Sequence, residues 1–282
     1  DDHESGVTHV IRGEDHISNT PRQILILEGI GAIRPKYAHI PLILAPDRSR
    51  LSKRHGAVSL LEYQEIGYLP EAVINYLALL GWNPGTDEEI LNMDKLTEVF
   101  DLEKVQKGGA IFDIEKLKWI NRQYLSLDSI KNEIQKISNV KNITDEGLNM
   151  LVTLTKERIS TSGEIKKLFS DGGEFDFIFS EPNYQKENLI WKDSNEVNAK
   201  QNLLKILEIL NNLSENNFEK VDFIKNSLWD FAEREGRGNV LWPMRYSLTG
   251  KEKSPDPFTV ASILGKKETL KRLNFAIEKL NV

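Results

Sequence analysis

The sequence predicts a mixed fold: a partial α/β unit first, then a long and almost wholly helical region. Two apolar, β-branched runs, Val7-Thr8-His9-Val10-Ile11-Arg12 and His39-Ile40-Pro41-Leu42-Ile43-Leu44, flank a stretch with helical spacing. Strand, helix, strand with a polar loop after each strand is the grammar of an open α/β sheet. Beyond about Leu125 the apolar residues recur almost only at helical intervals. A single strand–helix–strand unit is present, so the sheet it belongs to is incomplete.

Taken in order, residues 7–12 read as the first strand, ending in the polar cluster Gly13-Glu14-Asp15-His16. Ser18-Asn19-Thr20 before Pro21 suits a capping residue followed by proline at the first helical position. That helix runs through Ile24, Leu25 and Leu27 and stops at Gly29 or Gly31. Residues 37–44 form the second strand. From Ser59 the period changes, and Pro70 opens a helix expected to present Val73, Ile74, Leu77 and Leu80 on one face, with Gly81 ending it. Trp82-Asn83-Pro84-Gly85 is a turn, and short helices are expected over 93–100 and 114–124. Further on, Leu203, Leu204, Ile206, Leu207, Leu210 and Leu213 make one core stripe. Phe218, Val221, Ile224, Leu228 and Phe231 make another. Asp256-Pro257 caps a helix that ends at Gly265, and Leu270, Leu273, Ile277 and Leu280 close the chain. The turn-rich stretch 170–195 suits a hinge between two helical bundles.

Composition removes several functions. At 282 residues the chain exceeds one ordinary core, which predicts two or three domains. A net charge of −6 argues against coating nucleic acid by bulk charge and leaves local basic patches open. The absence of cysteine excludes disulfides, cysteine-based zinc sites and thiol catalysis, and suits a reducing, cytoplasmic compartment. No apolar run approaches a membrane span, so no membrane is expected. The five histidines, at 3, 9, 16, 39 and 55, are never three or four apart, so no metal site is expected. Gly29-Ile30-Gly31 ends a helix and has Arg34 where a dinucleotide fingerprint needs glycine. Asp1-Asp2-His3-Glu4 lacks an initiator methionine and steps almost directly into a strand, which suggests a piece of something longer.

Two polar clusters remain, each at the C-terminal end of a strand, where open α/β sheets bind ligands. In Arg12-Gly13-Glu14-Asp15-His16, the Arg can grip a carboxylate or phosphate with two parallel hydrogen bonds. The Asp can accept from ribose hydroxyls. Taken alone, the same residues read first as an ordinary strand-end ion pair. The second cluster is Asp47-Arg48-Ser49-Arg50-Leu51-Ser52-Lys53-Arg54-His55-Gly56, a basic loop with small residues interleaved. It reads as a polyphosphate cradle or as a solvated basic turn.

The ordered set of motifs resembles the bacterial glutamyl-tRNA synthetases, which are class I aminoacyl-tRNA synthetases. It comprises Val10-Ile11-Arg12-Gly13-Glu14-Asp15-His16, Ser18-Asn19-Thr20-Pro21-Arg22, His39-Ile40-Pro41-Leu42 and Leu51-Ser52-Lys53-Arg54. It continues with Leu80-Gly81-Trp82, Gly108-Gly109-Ala110-Ile111-Phe112-Asp113 and Lys116-Leu117-Lys118-Trp119-Ile120-Asn121. Trp242-Pro243-Met244-Arg245, Leu248-Thr249-Gly250, Ser254-Pro255 and Leu264-Gly265-Lys266 extend it nearly to the end. The loop at 50–54 resembles the family's second signature, Lys-Met-Ser-Lys-Ser in its general form.

The resemblance implies a Rossmann-like catalytic half-domain at 1–62, a stem-contact domain at 63–125, and anticodon-binding helical bundles at 126–190 and 191–282. It implies ATP-dependent activation of L-glutamate, then transfer to the 3′ end of the glutamate tRNA, with the glutamine tRNA left open as a second acceptor. Mg²⁺ would accompany ATP, and a monomer is expected. Arg12 would bind a carboxylate of glutamate. Asp15 would hold the ATP ribose, and His39, Ile40, Pro41 and Leu42 would line the adenine pocket. Leu51, Ser52 and Lys53 would complete the ATP site, with Lys53 and Arg50 catalytic through charge stabilisation on the leaving pyrophosphate. Arg245, Ser254, Pro255 and Pro257 match anticodon-contacting residues, and Arg158 one that reads an anticodon base. Arg158 also reads as an ordinary helix-surface ion pair, and Pro255-Asp256-Pro257 as the start of a helix.

Two departures from the family pattern matter. Arg50 stands where the loop's leading Lys belongs, a planar fork in place of a point charge. The other signature, His-x-Gly-His, is absent, because no two histidines are three apart. The expectation is a C-terminal part of such a synthetase that holds tRNA and does not aminoacylate by itself. The alternative is a stand-alone tRNA-binding or regulatory protein that has lost catalysis.

Overall fold

The structure, a computed structural model, describes residues 1–51, 59–137 and 143–281. The chain forms two compact units, Asp1–Leu125 and Ser126–Val282.

In the first unit, β1 (His9–Gly13) pairs in parallel with β2 (Lys36–Ile40), placing Arg12 opposite His39. The connection is a 3₁₀ helix, Glu14–Asn19, that runs straight into α1 (Thr20–Gly29). The expected cap is not realised: Asn19 already has helical backbone angles and no side chain caps α1. Thr20 turns its hydroxyl toward the strand ends instead. The single strand expected over 37–44 is two strands. β2 stops at Ile40, and β3 (Ile43–Leu44) pairs in parallel with β4 (Ala110–Ile111). Pro41 between them has no N–H to give a ladder, which is why the run breaks there. After β3 the chain doubles back, with Arg48 N–H on the Ala45 carbonyl and Leu51 N–H on the Ile43 carbonyl. Asp47 Oδ1 accepts from the N–H and hydroxyl of Ser49 at 2.9 and 2.6 Å, bracing the turn.

The helices of this unit are α2 (Leu60–Ile66), α3 (Pro70–Leu79), α4 (Met93–Val99) and α5 (Ile114–Tyr124). The stripe expected on α3 is misplaced. Val73 is buried, but Ile74 and Leu77 are 40% and 48% exposed, and the inward face carries Ala72, Asn75 and Tyr76. These polar side chains are bonded through their oxygens, while Asn75 Nδ2 is buried without a partner among the described residues. Asn75 Oδ1 accepts from Leu91 N–H and the Tyr124 hydroxyl, each at 2.9 Å. The Tyr76 hydroxyl accepts from Asp113 N–H at 2.7 Å, and burial pushes its pKa up to about 12. Asn121 Oδ1 likewise takes the Leu69 N–H at 2.8 Å.

The second unit is helical: α6 (Leu127–Lys136), α7 (Asp145–Arg158), α8 (Glu164–Phe169), α9 (Glu196–Asn211), α10 (Glu215–Phe218), α11 (Val221–Glu235), α12 (Arg237–Thr249) and α13 (Pro257–Lys279). Ser126, Thr144, Asn195, Ser214 and Asp256 cap their helices through side-chain oxygens on first-turn N–H groups. Leu203, Ile206 and Leu210 of α9, Ile224 and Leu228 of α11, Val240, Met244 and Leu248 of α12, and Leu273 of α13 are fully buried. Leu204 departs from its expected stripe and is 46% exposed. Gly265 breaks α13 with φ 75° and ψ 166°, where the helix was expected to end. Lys266, the next residue, donates to the carbonyls of Asn211, the last residue of α9, and of Leu213 just past it. Within the turn-rich stretch 170–195, Phe175, Phe177, Tyr184 and Leu189 are buried. No helix among the described residues is long and apolar enough to cross a membrane.

Candidate functional site

In the first unit the strand register builds the site. Arg12 and His39 are partners across β1 and β2, and Tyr37, two residues earlier, lies on the same face as His39. Arg12 Nη2 donates to Thr20 Oγ1 at 2.7 Å, its Nε lies 3.5 Å from His39 Nε2, and its guanidinium sits 5.6 Å from the centre of the Tyr37 ring. Thr20 Oγ1 is also 2.9 Å from His39 Nε2. These neighbours are neutral or can be, and among the described residues Arg12 has no carboxylate partner. Its charge is available to an anion. Asp15 and Arg50, predicted from separate clusters, meet at 3.4 Å as an exposed ion pair. Glu14, which was assigned no role, accepts the Leu42 N–H at 3.1 Å and so ties the two strand ends together. Ile40 and Pro41 line an apolar cavity of about 170 Å³ with Leu77, Trp82 and Phe100. Leu51 packs against the core of the unit. Ser52 and Lys53 lie outside the described residues.

In the second unit α12 is the organising element. Pro243 sits inside it and cannot give an N–H to the Asn239 carbonyl. The side chain of Asn202, on α9, donates to that carbonyl at 3.0 Å instead. The helix therefore continues past proline and carries Arg245 two residues on. Gly250, with φ 70°, ends it by returning its N–H to the Tyr246 carbonyl at 2.8 Å. The chain then loops over Arg245, whose Nη1 donates to the Ser254 carbonyl (2.6 Å), the Ser254 hydroxyl (3.1 Å) and the Pro255 carbonyl (3.2 Å). Pro255 and Pro257 are buried, so they stiffen this turn more than they present surface. The turn walls an open cavity of about 560 Å³, lined among others by Glu174, Trp242, Arg245, Lys251 and Ser254. Trp242 stacks at a tilt on Trp191, ring centres 4.6 Å apart. Arg158, at the end of α7, donates through Nε to Glu174 Oε1 at 3.1 Å, so it joins the cavity through a residue that lines it. A mixed set of cations, two acids (Glu174 and Glu252) and a tryptophan ring beside an open cavity suits an unstacked nucleic-acid base.

Residues 1–119 match the family model described as tRNA synthetases class I (E and Q), catalytic domain. Residues 115–277, more than half of the chain, match the model described as anticodon binding domain. A glutamate–tRNA ligase from Carboxydothermus hydrogenoformans is 41% identical across 97% of this chain.

The chain belongs to the glutamyl-tRNA synthetase family of class I.

A family member from Moorella thermoacetica is 38% identical over 98% of the chain. Among solved structures, the glutamate tRNA ligase of Elizabethkingia meningosepticum, crystallised in complex with its amino acid, superposes with a TM-score of 0.80 at 35% identity over 99% of the chain. The glutamate–tRNA synthetase of Elizabethkingia anophelis gives 0.74 at 35% identity. The chain spans 57–58% of the length of the curated relatives named here and 58% of each of the two solved chains. Family membership fits the architecture, a partial Rossmann-like half followed by helices of the anticodon-binding type.

Three features of the sites escaped the sequence. Glu14 and Thr20 bond to groups brought close only by the β1–β2 register. Glu174 sits in a stretch whose only sequence signal was turn propensity.

Proposed function

We propose that the whole protein is a glutamate–tRNA ligase, and that this chain supplies its tRNA-holding surfaces and part of its amino-acid and nucleotide site. The observation that supports this most is the pair of family matches, catalytic then anticodon-binding, in order along one chain. In the reaction a carboxylate oxygen of glutamate attacks the α-phosphorus of ATP and pyrophosphate leaves. A 3′-terminal ribose hydroxyl of tRNA then attacks the adenylate carbonyl and AMP leaves. Arg12, free of a carboxylate partner among the described residues, fixes a carboxylate of glutamate with paired hydrogen bonds. Asp15 exchanges its exposed contact with Arg50 for the ATP ribose, which leaves Arg50 facing the phosphates. His39, Ile40, Pro41 and Leu42 border the adenine. Lys53, with Ser52 and Leu51, stabilises charge developing on the pyrophosphate. Mg²⁺ arrives with the nucleotide, held mainly by its phosphates and water.

Within this reading, residues 63–125 meet the tRNA stem, and 126–190 and 191–282 hold the anticodon. Arg245 and Ser254 shape the base pocket, Pro255 and Pro257 stiffen it, and Arg158 reaches it through Glu174. The protein works as a cytoplasmic monomer on the glutamate tRNA, with the glutamine tRNA as the second candidate acceptor. Charging assays of the intact protein with both tRNAs test the proposal. Glutamate-dependent charging of at least one is expected, and charging of neither would overturn it.

A further inference from the structure

Two carboxylates, Glu174 and the more exposed Glu252, line the second-unit cavity, and holding phosphates does not explain them. A surface that only grips a nucleic-acid backbone gathers cations, and a carboxylate there works against it. Of the two, Glu174 is held firmly in place. A Cβ on neighbouring Gly173 would strike the carbonyl oxygens of Lys167 and Leu168, so the backbone is pinned beside it. On the other side Phe175 is fully buried and gives its N–H to the Leu168 carbonyl at 2.8 Å. Asp176 closes the turn by accepting the Gly172 N–H at 2.9 Å and pairing with Lys251 at 2.7 Å, both side chains largely covered. Arg158 then fixes the carboxylate itself through Oε1, and among the described residues Oε2 accepts no hydrogen bond. The cavity thus presents a preorganised acceptor beside Arg245, whose Nε and Nη2 also have no partner among the described residues.

We propose that Glu174 reads a base in this cavity: its open oxygen accepts from the exocyclic amino group of an unpaired cytosine and disfavours uracil. The inference rests on the anticodon reading given above. An ionised carboxylate can only accept, and cytosine offers an amino donor at the edge where uracil offers a carbonyl. The one donor on the uracil edge lies between two carbonyl oxygens, which repel a carboxylate. The free nitrogens of Arg245 complement the acceptors of cytosine on the same edge. Lys251, Asp176 and Arg158 are positioning residues for this acceptor.

The test uses the 282-residue chain and synthetic anticodon stem-loops of the glutamate tRNA, with each anticodon position set in turn to cytosine or uracil. The expected result is a preference for cytosine of about tenfold or more at one position, measured by fluorescence anisotropy. Glu174→Gln should shrink it to within about threefold. Glu174→Asp, which keeps the charge but withdraws it by one methylene, should retain part of it. A preference that survives Glu174→Gln, or wild-type binding with no such preference at any position, overturns the inference while leaving anticodon binding intact. Wild-type chain that binds none of the loops at low salt overturns the anticodon reading itself. Should Glu174→Gln lower the melting temperature, the Asp variant decides, and a preference equal to wild type overturns the inference.

Discussion

Arg12 carries a full charge among the polar, potentially neutral groups of Thr20, His39 and Tyr37, and its geometry belongs to the fork of a guanidinium. Lysine would keep the charge and lose the paired bonds. On the proposed reading, Arg12→Lys in the intact protein should therefore lower kcat/KM for glutamate by about tenfold to a hundredfold, roughly 1.5–3 kcal/mol, in ATP–pyrophosphate exchange. An unchanged value would place the amino-acid carboxylates elsewhere. Arg245 works differently, because its Nη1 is already committed to the turn at Ser254 and Pro255. Arg245→Lys should weaken anticodon stem-loop binding by about tenfold through loss of turn shape. It should weaken binding of every anticodon sequence, and of cytosine-bearing loops most because the Nε and Nη2 donors are lost too, whereas Glu174→Gln alters preference between sequences and leaves the turn at Ser254 and Pro255 in place. Arg12 and Asp15 stand out in the sequence as candidates because residue type at a strand end carries its own chemistry. Glu174 was not, because its partner Arg158 is sixteen residues away and its cavity is closed by a loop more than seventy residues on.

At the scale of elements, α12 depends on a substitution of donors. Pro243 removes the N–H that the Asn239 carbonyl needs, and Asn202 supplies one from α9. Asn202→Ala should cost about 1 kcal/mol of stability by removing the donor from that half-buried carbonyl. In a Pro243→Ala background, where the helix can make its own bond, the same change should cost markedly less; equal costs would break the proposed link. On α3, the Tyr76 phenol is pushed up to about 12 by burial. An unfolded tyrosine ionises near 10. Between those values the unfolded chain loses a proton the folded one keeps, so this contribution is whole below pH 10 and fades as pH rises toward 12. Urea midpoints taken from pH 8 to 12 should fall in the upper part of that window, and less steeply in Tyr76→Phe. That variant should start about 1–3 kcal/mol lower at neutral pH, having orphaned the Asp113 N–H. The same residues explain why periodicity misplaced the α3 face. A search for apolar stripes passes over Asn75 and Tyr76, which the fold buries with their oxygens bonded, and favours Ile74 and Leu77, which it leaves exposed. The break at Pro41 was visible as a proline, but its consequence depended on β4, contributed from residues 110–111.

For the whole molecule, recognition and chemistry are separable demands on one chain. Residues 115–277 match the anticodon-binding family, while the 282 residues contain no His-x-Gly-His and no pair of histidines three apart. On the proposed reading, the loop carrying Lys53 stabilises charge at the reacting phosphate, and a site that lacks one set of such donors loses several kcal/mol of transition-state stabilisation. The 282-residue chain should therefore give no glutamate-dependent ATP–pyrophosphate exchange above background while still binding the glutamate tRNA. With a net charge of −6, bulk attraction cannot supply that affinity, so local cations must. Binding should weaken steeply with salt, as displaced counterions require, and should also respond to anticodon changes at constant salt. Binding that follows salt alone would mark an unspecific basic patch, and measurable exchange would mean that the residues present here complete an active site without the missing signature. Exchange kinetics and tRNA titrations on the same preparation distinguish these outcomes.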